Sequence, residues 1–148
     1  MGEVFNSTFE VSLRLLLLLS VSSDVGLSID RIATYDFITI YSRYFGLSDK
    51  VLHGENEFGY SEIASRRNKA QIAIKGMVLD GFVHVIRSED GYKYHLTENG
   101  KKVASNMVSE YAAAYRDLAK LTVKKFSKKT ETEIMAVIST ASIKSLRG

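Results

Sequence analysis

Three histidines, His53, His84 and His95, have the chemistry of general bases and metal ligands. A zinc-hydrolase site needs two of them four apart on one helix face with a carboxylate beside them, and no HExxH or equivalent spacing occurs. One falls in a loop and two on a predicted hairpin. The absence of cysteine removes thiolate ligands, cysteine nucleophiles and disulfides, and suits a reducing compartment. No G-x-x-x-x-G-K-S/T loop is present, and the serines and aspartates form no nucleophile constellation. The expectation is a protein that is not an enzyme and holds no metal or cofactor.

The cations offer the other kind of chemistry. Residues 1–60 carry 4 Lys+Arg against 8 Asp+Glu, whereas residues 61–148 carry 16 against 9. Such asymmetry points the second half toward an anionic partner, a nucleic acid or an acidic protein surface; a solvated basic helix face is the plainer alternative. Arg66, Lys69 and Lys75 on a third helix, with Lys93 and His95 on the hairpin, could neutralise phosphates, and Arg66 could reach a guanine edge. The segment Lys124, Lys125, Lys128 and Lys129 is the second basic cluster. The acidic hairpin tip Ser88-Glu89-Asp90-Gly91 argues against a phosphate contact there.

The elements that must position these residues follow from capping and periodicity. The chain has 148 residues, no proline, 45% apolar and 25% charged residues, which suits one largely helical core. Ser7 or Thr8 caps a helix over about 9–22, whose run Leu15–Leu19 is apolar on every side and therefore central. Ser28 caps a second helix over about 29–44, ended by Gly46. A long loop precedes a third helix over about 61–80, predicted to turn Ile63, Ala70, Ile74, Met77 and Val78 inward and Glu62, Arg66 and Lys69 outward. The strands of 82–96 alternate around Asp90-Gly91, a hairpin signal, and Thr97 caps a fourth helix predicted to run to about Phe126. The order helix, helix, helix, hairpin, helix describes a mostly α, winged-helix-like core over 1–97, with a C-terminal helical docking element over 98–148. Against a DNA-reading role, about fifteen residues separate the second and third helices, more than a helix-turn-helix allows. The apolar stretch Leu13–Val21 is too short to cross a bilayer and the N-terminus lacks a signal's positive flank, so a cytoplasmic protein with no membrane partner is expected.

Two further features concern packing. Met107, Tyr111, Ala114, Leu118 and Leu121 are spaced 4, 3, 4, 3, a heptad seam that wants a helical partner. The final segment, with Ile134, Val137, Ile138 and Ala141, is the internal candidate, and an external helix satisfies the seam equally. Asp36 and Arg67 each interrupt an apolar helix face, and the economical arrangement is a structural ion pair between them.

Val4-Phe5-Asn6-Ser7, Glu10, Leu13-Arg14 and the leucine run, then Tyr35-Asp36-Phe37, Leu52-His53, Glu62 with Arg66-Arg67, Met77 before Gly81-Phe82-Val83, and Tyr111 in the long helix, form an ordered set along most of the chain. That set resembles middle component proteins (type 2) of three-component ABC-ATPase systems. Where the family often has a glycine-proline pair before the loop's Leu-His, this chain has Phe45-Gly46-Leu47-Ser48. The resemblance implies a small non-catalytic adaptor that docks on an SMC/RecN-like ABC ATPase and couples it to an effector, commonly a nuclease, as in Lamassu-type antiphage complexes. Double-stranded DNA held by the ATPase is a further partner it allows. Candidate partner-binding residues are then Phe5, Asn6, Leu52 and His53, with the seam residues Met107, Tyr111, Leu118 and Leu121. A free-standing winged-helix DNA-binding regulator is the alternative.

Overall fold

Ser7 opens the first helix, α1 (Thr8–Ser20), by accepting the Glu10 amide at 3.2 Å. The structure is a computed structural model and describes residues 7–49 and 62–146. Val11 and Leu15 to Leu19 are all buried, so the second half of α1 up to Leu19 keeps no face for water. Other elements surround it: α2 (Ile29–Ile40), α3 (Glu62–Leu79), α4 (Glu98–Ser105) and α5 (Glu110–Phe126) all pack against it. The last helix, α6 (Glu131–Leu146), lies against α2 and the short 3-10 helix Ser42–Phe45. One apolar cluster runs from Leu15 through Phe37 and Ile74 to Tyr115, Phe126 and Ile138.

Ser28 caps α2 as predicted, accepting the Arg31 amide at 3.1 Å. The α-helix stops at Ile40, short of the predicted 44, because the chain tightens into the 3-10 turn before Gly46, which terminates it at φ 69°. The hairpin pairs β1 (Val83–Ser88) with β2 (Gly91–Leu96), in register Val83 opposite Leu96 and His84 opposite His95. Leu27, in the α1–α2 connection, adds a single bridge to Tyr94, with N–H···O distances of 3.0 and 2.9 Å.

The single fourth helix predicted over 98–126 is two helices. Ser109 accepts the Ala112 amide at 3.1 Å and starts α5 afresh, while α4 ends at Asn106. Arg116 of α5 holds the break closed, its Nη2 donating to the carbonyls of Ala104 (2.9 Å) and Met107 (3.0 Å), acceptors that a helix end leaves over. Near the start of α4, Gly100 lies so close to the hairpin that a Cβ there would stand 2.1 Å from the Phe82 carbonyl oxygen. The restart shifts the buried register of the helix. The inward face of α5 is Ala112, Tyr115, Leu118, Ala119, Thr122 and Phe126, not the predicted seam. Of that seam Leu118 is buried, Met107, Tyr111 and Ala114 are half-buried, and Leu121 is 44% exposed. Among the described residues α5 packs chiefly against α1 and α2.

Candidate partner-docking surface

The interior carries a polar node built on Asp36, with a partner other than the expected one. Asp36 pairs with Arg14 rather than Arg67: Arg14 Nε donates to Oδ1 at 3.0 Å and Nη2 to Oδ2 at 3.1 Å, and the Tyr115 hydroxyl donates to Oδ1 at 2.7 Å. All three groups are buried and they tie α1, α2 and α5 together. Burial alone would raise the Asp36 carboxyl and lower the Arg14 guanidinium. Their mutual attraction prevails, helped at Asp36 by the Arg66 charge and the Tyr115 hydrogen bond, so Asp36 sits below the usual carboxylate range and Arg14 above its ordinary value. Burial, then the neighbouring Asp36 charge, pushes the Tyr115 phenol well up. Tyr111, stacked on Tyr115 at 6.4 Å, is pushed up to about 12, by burial first. Arg67 instead reaches Asp30 on the exposed side of α2.

Arg66, predicted to face outward toward a nucleic acid, is buried. Its Nε donates to Glu62 Oε1 at 3.0 Å, the Tyr41 hydroxyl donates to the same carboxylate at 2.9 Å, and the guanidinium lies over the Tyr41 and Phe37 rings at 5.6 and 6.0 Å. Arginine's long apolar stem and flat cation allow this inward course beside aromatic rings, which a count of charged positions misses.

Two cations, one from each half of the chain, close helix ends. Arg31 Nη2 donates to the Lys129 carbonyl (2.8 Å) and Nη1 to that of Phe126 (3.1 Å), while Nε pairs with Glu131 at 2.7 Å, pinning the α5–α6 corner to α2. Lys125 Nζ donates to the Phe45 carbonyl at 2.8 Å. The remaining nucleic-acid candidates do not form one stripe. Lys124 and Lys128 are exposed and Lys129 half-buried at the end of α5; Lys75 is exposed and Lys69 half-buried on α3. Lys93 lines a cavity with Arg31 and Ser127, whereas its strand neighbours Tyr92 and Tyr94 line the α3 side of the hairpin. His84 and His95 are cross-strand neighbours, ring centroids 5.2 Å apart, and no group of three or more His, Asp or Glu among the described residues is placed to hold a metal ion. Phe5, Asn6, Leu52 and His53 lie outside the described residues.

The feature that sequence reasoning missed is where the apolar surface lies. The C-terminal half of α3 and the adjacent hairpin face make a groove lined by Gln71, Ile74, Lys75, Val78, Leu79, Val85, Tyr92 and Tyr94. Leu79 is 83% exposed, Tyr92 57%, Val85 38%, and Ile72, two turns before Leu79 on α3 and outside the groove lining, 52%. The signal was available: Ile72 and Leu79 fall outside the inward set Ala70, Ile74, Met77, and a hairpin covered on one side must leave alternate residues facing out.

A mostly helical protein with one β-hairpin, a buried Arg14–Asp36–Tyr115 node and apolar residues displayed beside that hairpin, is the class these features define. The chain belongs to the ABC-three component (ABC-3C) system Middle Component 2 family, whose model matches residues 4–148. Membership implies association with the other components of such a system. Neither the curated proteins nor the solved structures give a match. No helix among the described residues is long and apolar enough to cross a membrane.

Proposed function

We propose that this chain is a non-catalytic adaptor subunit of a Lamassu-type, SMC-like antiphage complex in the cytoplasm, docking on the ABC ATPase and bridging it to a nuclease-type effector. The observation that carries the reading is the exposed apolar face of α3 and the hairpin. In a winged-helix DNA reader those positions meet phosphates and base edges and are polar or cationic. Here Ile72, Leu79, Val85 and Tyr92 occupy them and Arg66 turns inward. The helix order and the Leu27 bridge to Tyr94 support a winged-helix-like core reused for protein contact.

The test mixes the purified chain with the purified ATPase component of its own three-component system, and separately with duplex DNA over graded salt. The adaptor reading expects a stable protein complex and weak DNA binding by the chain alone. Tight DNA binding with a steep salt slope and no protein complex would instead establish the free-standing regulator, with Lys69, Lys75, Lys93, Lys124, Lys125, Lys128 and Lys129 as its phosphate contacts.

A further inference from the structure

His84 and His95 stand directly opposite each other in the ladder of β1 and β2, so both side chains leave one face of the hairpin. That face is turned away from the apolar groove, because Val85 and Tyr94, which line the groove, alternate with them along the strands. The two ring centroids are 5.2 Å apart and the planes are tilted by 58°. This is the spacing of two imidazoles on one metal ion: with metal–nitrogen bonds of about 2.0–2.1 Å, each ring centre lies roughly 3.2 Å from the ion, and at a tetrahedral angle the two centres stand about 5 Å apart. The tautomer suits it as well. His95 Nδ1 lies 3.1 Å from the Leu96 carbonyl oxygen, which can only accept, so Nδ1 carries the proton and Nε2 keeps its lone pair for a ligand. A carbonyl holding the second ring nitrogen is the usual support of a metal-bound histidine. His84 is exposed, which leaves the pair open to an ion from solvent.

We propose that His84 and His95 together seat one late first-row divalent metal ion, of the zinc, nickel or copper kind, through one nitrogen of each ring. Imidazole donors with no carboxylate among them select such ions over magnesium and calcium. The charges nearby allow it. Lys93 leaves the same face two residues before His95 and opposes a cation, whereas Arg87 leaves the other face. Glu98, three residues after His95, pairs with Lys101 at 3.6 Å, and the acidic Glu89 and Asp90 sit at the far end of the hairpin. No third His, Asp or Glu among the described residues joins the pair, so water completes the coordination and the ion exchanges readily. A plain contact between two aromatic rings gives a similar separation, and metal uptake tells the two apart. The inference is independent of the adaptor reading.

The experiment titrates zinc chloride, and separately magnesium chloride, into the untagged full chain by calorimetry, with thermal unfolding of each variant in the absence of metal. The wild-type chain should take up one zinc ion and no magnesium, and its unfolding midpoint should rise with zinc concentration, since folding brings the two rings together. His84→Ala, His95→Ala and the double variant should each weaken zinc binding roughly tenfold or more and to a similar extent, because one ion needs both rings. Lys93→Gln should tighten it by a small factor that shrinks at high salt. If His95→Ala lowers the metal-free midpoint, His84→Ala, which truncates an exposed ring, decides alone. Absence of zinc uptake by the wild-type chain overturns the proposal, and so does uptake that the double variant retains. Single variants that each keep half of the bound zinc also overturn it, since each ring would then bind an ion by itself.

Discussion

The node Arg14–Asp36–Tyr115 and the face Ile72–Leu79–Val85–Tyr92 reverse the usual arrangement of a soluble protein: the first buries charge, the second exposes hydrocarbon. Their difference lies in satisfaction. Each charge of the node has a hydrogen-bonded partner within 3.1 Å, so its desolvation cost is offset inside the chain. The exposed aliphatic groups have nothing comparable, and large apolar side chains clustered in water mark a contact surface. Architecture resides in the first region, and the proposed function assigns recognition to the second.

Breaking the node should therefore cost stability and leave the surface chemistry alone. Asp36→Ala strands the Arg14 guanidinium in the core, and chemical denaturation should show a loss of about 3–5 kcal/mol. Tyr115→Phe removes a hydrogen bond to a charged acceptor and should cost about 1.5–3 kcal/mol in the same assay.

The node also sets a pH dependence. The Asp36 carboxyl titrates lower in the folded chain than its ordinary value of 3.8, so its contribution is full above that value and is lost as pH falls toward the folded one. The Tyr115 phenol titrates higher than its ordinary 10.0, so its contribution is full below pH 10 and is lost as pH rises toward the folded value. Stability measured across pH should accordingly fall at both ends, with Asp36→Asn flattening the acid limb and Tyr115→Phe the alkaline one.

At the small end, Thr130 accepts the Glu133 amide at 3.1 Å and Glu133 accepts the Thr130 amide at 3.0 Å, a capping box remote from both regions. Thr130→Ala should cost about 1 kcal/mol by thermal unfolding. It serves as the control for a local helix effect that leaves node and face untouched.

Much of the architecture was legible in the sequence because it is written locally. The caps Ser7, Ser28 and Thr97, the all-apolar run Leu15–Leu19 and the hairpin alternation depend on neighbours a few residues away. The restart at Ser109 was legible too, but the heptad spacing across Met107 masked a capping serine. The ion-pair partners were less accessible. Asp36 was recognisable as a buried charge needing a partner, yet Arg14 and Arg67 stand 22 and 31 residues away, and only the packing of α1 on α2 selects Arg14. Arg66 and Arg67 are adjacent, and the helix's rotation, not its composition, turns one toward Glu62 and Tyr41 and the other toward Asp30.

The division between the two regions is tested most directly by titrating the purified ATPase component against the wild-type chain and Leu79→Glu/Tyr92→Glu, with the unfolding midpoint recorded for both. Two charges placed on an already exposed surface should leave stability within about 0.5 kcal/mol per site while affinity falls roughly tenfold or more. Unchanged affinity, in a variant that folds as the wild type does, would contradict the assignment of recognition to this face.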